Sequence, residues 1–243
     1  MNSPPPRVRS PPGIAACLFD LDGVLTPTAT VHAAAWKEMF DRFLEAWSTR
    51  THTPFEPFDT QRDYGTYVDG KPREDGIRSF LAARGIEVDD GEVHEMGERK
   101  NRTVLRLIHD VGVRPYEGSV RFVDAARAAG LKCAVVSSST NCRDVLRAAG
   151  IEQRFNLVVD GVTARREQLA GKPAPDTYVA AARHLDVTPQ HAAVFEDALA
   201  GVEAGRAGDF GWVVGVDRVD HAADLRAHGA HVVVRDLSEL LEP

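Results

Sequence analysis

Two apolar periodicities divide the chain. The six residues IAACLF, from Ile14 to Phe19, run without a polar break and stop at Asp20. Such a run reads as a strand covered on both faces. From about His32 to Trp47, the residues Trp36, Met39, Phe40, Phe43, Leu44 and Trp47 recur at three- and four-residue spacing, the period of a helix with one buried face. The stretch STRTHTPFEPFDTQRDYG is rich in turn residues and proline and reads as a loop. GKPREDGIRSFLAARG predicts a helix closed by Gly85, and DDGEVHEMGERKNRTVLRLIHDVG predicts another through Ile108. No strand pattern occurs between His32 and His109.

The texture changes after Gly112. The helical segments SVRFVDAARAAG, CRDVLRAAG, PDTYVAAARHLD, ALAGVEAGRAG and HAADLRAHG alternate with the apolar runs KCAVVS, FNLVVDG, HAAVFED, GWVVGV and HVVVRD. Continuous apolar strands alternating with helices predict an α/β fold with a doubly wound parallel sheet. The first strand belongs to that sheet, so the helical block is an insertion after it. The expected division is a disordered, proline-punctuated leader at 1–12, a core at 13–28 and 112–243, and a small helical domain at 29–111.

Composition narrows the function. The formal net charge is −7 and no Lys/Arg stripe stands out, which argues against nucleic acid as a partner. A few cations still suffice for a phosphorylated small molecule. The three cysteines, Cys17, Cys133 and Cys142, form no CxxC and read as reduced, buried thiols of a cytoplasmic protein. The N-terminus lacks the apolar segment of a signal peptide, and no apolar run approaches a membrane span. The nine histidines show no zinc spacing, and no G-x-G-x-x-G follows the first strand.

Active sites of doubly wound sheets lie beyond the carboxyl ends of the strands. Those ends carry Asp20 and Asp22, Ser137 to Ser139, Asp160, and Glu196 with Asp197. Residues two apart at a strand end share a side, so Asp20 and Asp22 are expected in one site. With Glu196 and Asp197 the site holds up to four carboxylates, whose repulsion calls for a hard, oxygen-liganded cation, Mg2+. Ser137, Ser138 and Ser139 precede a helix, a natural anion site. Lys172, in the proline-bounded loop GKPAPD, suits a phosphoryl oxygen as a point charge.

The motifs FDLDGVL, VVSSST, GKPAPD and FEDALAG stand in an order and spacing that resembles the haloacid dehalogenase-like phosphotransferase superfamily. The helical insert resembles that superfamily's small cap. The resemblance implies Asp20 as nucleophile, Asp22 as general acid/base, and Mg2+ held by Asp20, the Asp22 carbonyl, Glu196 and Asp197. Within the superfamily, TPTATVHAAAW is similar to the hinge of the β-phosphoglucomutases, which implies that Thr28 and His32 gate the acid/base. By the same resemblance, Gly70 and Arg73 in GKPRED, Lys100 and Asn101 in RKN, and Ser139 and Asn141 bind substrate or phosphate, with Arg73 holding the phosphate that is not being transferred and Ser139 and Asn141 near it. The partners implied are a phosphorylated sugar and a sugar bisphosphate intermediate. A monomer is the default. A sugar-phosphate phosphatase on the same residues is the alternative, and a non-catalytic binding module ranks far behind because every motif residue is present. Pro27, Asp69, Thr140 and Ala198 depart from those mutases, where Asp, Lys, Lys and Ser stand.

Overall fold

A computed structural model describes residues 6–242. The central sheet has six parallel strands in the order β4-β3-β2-β5-β6-β7. These are β2 (Ala16–Phe19), β3 (Lys132–Val136), β4 (Leu157–Val159), β5 (Ala192–Glu196), β6 (Trp212–Val216) and β7 (Val232–Val234). Along β2, Cys17 and Phe19 enter one core while Ala16 and Leu18 enter the core on the opposite face. That is why the strand reads as one apolar run. Burying each such Phe or Leu contributes about 1.5–3 kcal/mol. β2 pairs with β3 on one side and β5 on the other, so the strand order reverses there. A crevice forms beyond the strand ends at such a reversal.

The helices α4 (Glu117–Ala128), α5 (Cys142–Ala148), α7 (Asp176–His184), α8 (Leu199–Ala207) and α9 (Ala222–His228) lie close to their expected spans. One helix was not expected. Asp160 ends β4 and its carboxylate accepts from the Thr163 amide at 2.8 Å, which starts α6 (Gly161–Arg166) inside a segment that reads as strand and loop.

The insert is all helix and loop, as its periodicity predicts. It comprises α1 (Ala29–Thr51), α2 (Arg73–Ala83) and α3 (Asp90–Val111), around a core separate from those of the sheet. Phe40 lies 5.3 Å from Trp36, 5.1 Å from Phe58 and 4.3 Å from Phe80, ring centre to ring centre. Such pairs add about 0.5–1.5 kcal/mol each beyond their burial. Two expectations need correction. The helix α1 runs four residues further than its apolar stripe, to Thr51, and the segment read as a loop ends in a π-helical turn at Tyr64–Val68. The intervening chain is pinned where the Phe58 amide donates to Asp41 at 2.8 Å and Lys37 donates to the Phe58 carbonyl at 3.1 Å.

The leader also differs from expectation. Met1–Pro5 lie outside the described residues, but β1 (Arg7–Val8) pairs antiparallel with β8 (Leu241–Glu242). Arg7 and Val8, two of the four residues between the proline clusters, have amides and carbonyls free to pair, and the C-terminal strand satisfies them. Among the described residues no helix is long and apolar enough to cross a membrane.

Candidate active site

The chain turns sharply after β2. The Asp20 amide donates to the Phe195 carbonyl at 3.0 Å, and a flap then closes through Gly23 N to Thr26 O at 2.7 Å and Leu25 N to Leu21 O at 2.9 Å. Gly23 has φ +87°, and a Cβ there would overlap the Asp197 carboxylate, so only glycine fits. The flap carbonyls are held from far along the chain. Arg218 Nε donates to Gly23 O at 2.8 Å, Ser119 Oγ to Val24 O at 2.6 Å, and Tyr116 N to Leu25 O at 2.9 Å. The Arg218 guanidinium also stacks 3.7 Å from the centre of the Tyr116 ring.

This flap separates the first two acids. Asp20, Glu196 and Asp197 each offer a carboxylate oxygen within 4.8 Å of the others, and all three are buried. Asp22 is not in that cluster, because the chain leaves the strand before it and the two-residue alternation no longer applies. Its carboxylate accepts from Thr28 Oγ1 and lies 3.5 Å from His32 Nε2. Thr26 Oγ1 in turn lies 2.7 Å from Thr28 Oγ1.

Lys172 is the counter-ion of the cluster. Its ammonium donates to Asp20 Oδ1 at 2.6 Å, Glu196 Oε1 at 2.5 Å and the Val136 carbonyl at 3.2 Å. Burial alone would lower its pKa, but Asp20 and Glu196 hold it well above the usual lysine value. Burial pushes the carboxyl groups of Asp20 and Asp197 up, against Lys172 in the case of Asp20. One ammonium does not balance three buried carboxylates. Glu196 also accepts from the Tyr178 hydroxyl at 2.9 Å and the Ala198 amide at 3.2 Å. A Cβ on Gly201 would overlap its carboxylate.

These groups open onto a cavity of about 400 Å³ between the sheet and the insert. Asp20, Asp22, His32, Gly70, Arg73, Lys100, Asn101, Asn141 and the serines Ser137 to Ser139 line it directly. Lys172, Glu196, Asp197 and Thr28 stand one hydrogen bond or one carboxylate behind the wall. Every site residue expected from the sequence therefore gathers at one place.

On the insert side, Lys100 Nζ lies 2.9 Å from His32 Nδ1 and 4.7 Å from the Trp36 ring centre. Burial lowers its pKa to about 7, opposed by Asp22 and reinforced by Arg73. Burial and the Lys100 charge lower His32 to about 4, so the imidazole is neutral at pH 7. Arg73 donates to Glu98 at 2.7 Å, and Gly97 leaves room for its side chain. The acid comes from α3 and not from the neighbouring Glu74 or Asp75. Side-chain hydrogen bonds also join insert to sheet domain: Asn141 Nδ2 to Asn101 Oδ1 and Ser138 Oγ to the Gly70 carbonyl, both 2.7 Å.

Sequence reasoning missed Tyr178, Arg218, Tyr116 and Tyr64. Tyr178 follows Lys172 by six residues, which places it one turn into α7, but nothing local marks its hydroxyl as a partner of Glu196. Asp69 was noted as a departure and not as an acid of the site. It lines the cavity, and burial raises its carboxyl to about 7, with Glu196 and Asp22 adding to the effect and the Tyr64 phenol opposing it.

The pattern of haloacid dehalogenase-like hydrolases matches residues 14–209. A β-phosphoglucomutase of Mycobacterium tuberculosis is 54% identical over 97% of this chain and 97% of its own length. That of Bacillus subtilis is 34% identical over 93% of this chain and 91% of its own. The crystal structure of a β-phosphoglucomutase from Clostridium difficile superposes with a TM-score of 0.76 at 26% identity, covering 93% of each chain.

Proposed function

The chain belongs to the haloacid dehalogenase-like hydrolase family, and on that premise we propose that it is a β-phosphoglucomutase, with the helical insert as its cap. It converts β-glucose 1-phosphate to glucose 6-phosphate through a phosphorylated Asp20 and glucose 1,6-bisphosphate. One observation carries the reading: one cavity between sheet and insert brings together two anion-binding groups. Lys172 stands beside Asp20, while Arg73 accompanies Ser139 and Asn141. A bisphosphate that binds in two orientations requires both.

The mechanism follows from the positions. Phospho-Asp20 meets the sugar's 6-hydroxyl. Asp22 takes the hydroxyl proton, the sugar oxygen bonds to phosphorus, and the bond from phosphorus to Asp20 breaks. The bisphosphate turns round. Asp20 then attacks the 1-phosphate, and Asp22 returns its proton to the departing O1. Thr28 orients the Asp22 carboxylate through its hydrogen bond, and neutral His32 lies against the same oxygen. Lys172 holds Asp20 in place and offsets the repulsion between its carboxylate and the phosphate. The cluster of three buried carboxylates with a single ammonium fits a divalent cation, and Asp20, Glu196, Asp197 and the Asp22 carbonyl would hold Mg2+. When bound, Mg2+ neutralises developing charge on the phosphoryl oxygens.

The test is a coupled assay with β-glucose 1-phosphate, Mg2+ and catalytic glucose 1,6-bisphosphate, following glucose 6-phosphate and free phosphate together. Glucose 6-phosphate without matching phosphate release is the expected result. Phosphate release alone would make the enzyme a sugar-phosphate phosphatase. The ion pair of Arg73 with Glu98 favours that second reading, since it spends part of the distal cation on a protein carboxylate.

A further inference from the structure

The π-helical turn at Tyr64–Val68 has a specific effect on the site. Its wide bond, from the Asp69 amide to the Tyr64 carbonyl at 3.0 Å, brings Tyr64 and Asp69 onto one wall of the cavity. Such turns are rare and concentrate at functional sites. The next residue, Gly70, has φ +70° and is fastened to the sheet domain by Ser138. An ideal Cβ on Gly70 would lie 3.0 Å from the Cβ of Ala198, the residue immediately after Asp197. Asp69 and Asp197 are thus each one residue away from the same cap-to-core contact. The two departures from the mutase pattern belong together. A small residue at 198 admits the cap segment, and that segment carries a carboxylate where a lysine would stand.

We propose that Asp69 is a cap-borne carboxylate of the cation centre, so that Mg2+ binding and cap closure favour each other. Closing the cap moves a fourth, half-buried acid toward Asp20, Glu196 and Asp197, and Asp22 faces the same space. Lys172 is the only ammonium bonded to that cluster among the described residues. Without a divalent cation the repulsion opposes closure; with one, Asp69, which stands outside the close group of Asp20, Glu196 and Asp197, gains an attractive partner through a cation-bound water. The linkage is reciprocal: whatever Mg2+ contributes to closure, closure contributes to Mg2+ affinity. The proposal rests on the cation reading above but not on the mutase reading.

The test is calorimetric titration of the sugar-free enzyme with Mg2+, in wild type, Asp69→Asn and Asp69→Lys. Asn matches the shape of a protonated aspartate, so the fold is retained, and circular dichroism checks it. Hydrogen exchange of the 64–72 segment is measured on the same samples. Mg2+ is expected to bind about fivefold or more tightly to wild type than to Asp69→Asn, with Asp69→Lys weaker still. Mg2+ should slow exchange of the segment in wild type and not in Asp69→Asn. Equal affinities, or equal protection by Mg2+ in both proteins, would overturn the proposal. Absence of Mg2+ binding to wild type would overturn it together with the cation reading, which an Asp197→Asn control separates from a loss confined to Asp69.

Discussion

Asn141, on the sheet domain, donates its amide to the side-chain oxygen of Asn101, on the insert, at 2.7 Å. Both residues are expected to bind substrate or phosphate, and here they satisfy each other. The contact is at once a latch and a share of the binding site, so the cap closes over this end of the cavity without a ligand bridging it.

Replacing either partner breaks the latch and leaves the other amide unpaired. Asn101→Ala and Asn141→Ala should each raise KM for the sugar phosphate by about tenfold, the equivalent of one hydrogen bond of ~1.4 kcal/mol. Steady-state kinetics checks this, and a double variant that loses little beyond either single one would show that they act as a pair.

Thr28 touches the acid/base through its hydroxyl alone. Thr28→Val keeps the shape and removes the donor, so kcat should fall by about 10²-fold with KM little changed. Thr28→Ser should recover most of the rate. A rise in KM with kcat unchanged would place Thr28 in ground-state binding instead.

Arg73 separates the two phosphate sites. Arg73→Ala should lower mutase turnover by about 10²-fold, the loss of a charge-assisted phosphate contact, and leave hydrolysis of a small aryl phosphate within a few-fold of wild type. Equal losses on both substrates would deny Arg73 a distal role.

Gly201 exists to make room for Glu196. In Gly201→Ala the new methyl meets the Glu196 carboxylate, and either the helix α8 or the acid must shift. Overpacking of this kind costs about 1–3 kcal/mol. The expected signature is a lower thermal midpoint accompanied by weaker Mg2+ binding in the folded protein.

Lys100 gives a pH dependence with a defined sign. Its folded pKa is about 7 against an ordinary 10.5. Between those values the unfolded chain binds a proton that the folded chain does not, so this residue makes stability rise with pH across that window. Below pH 7 both states are protonated and the cost of burying the charge is fully present. Urea midpoints for wild type and Lys100→Met, taken from pH 7 to 10, should show the rise in wild type and a flatter curve in the variant.

The sheet was legible because β2, β3 and β5 are covered on both faces and their burial appears as unbroken apolar runs. Three of the catalytic motifs were legible because they sit on the few residues that follow a strand, and the fourth, around Lys172, because prolines bound its loop between α6 and α7. The parts missed depend on relationships that sequence distance hides. Glu98 reaches Arg73 from another helix, and Tyr178 reaches Glu196 across a loop. The π-helical turn has no apolar period of its own, so its fold follows from packing against α2. Arg7 and Val8 become a strand only because Leu241 and Glu242 offer an edge.

The fastening of the flap has a consequence for the order in which the enzyme matures. Asp20 and Asp22 leave the ribosome early, yet the flap that positions them hangs on Tyr116, Ser119 and Arg218. The strand beneath them pairs only with residues 132–135 and 192–195. The insert, whose aromatic core is drawn from residues 36–96, has all of its partners at hand far sooner. Local contacts form before distant ones. The cap's contacts can therefore be complete before the nucleophile is tethered, and Asp20 is fully positioned only once residues 192–195 and Arg218 are in place.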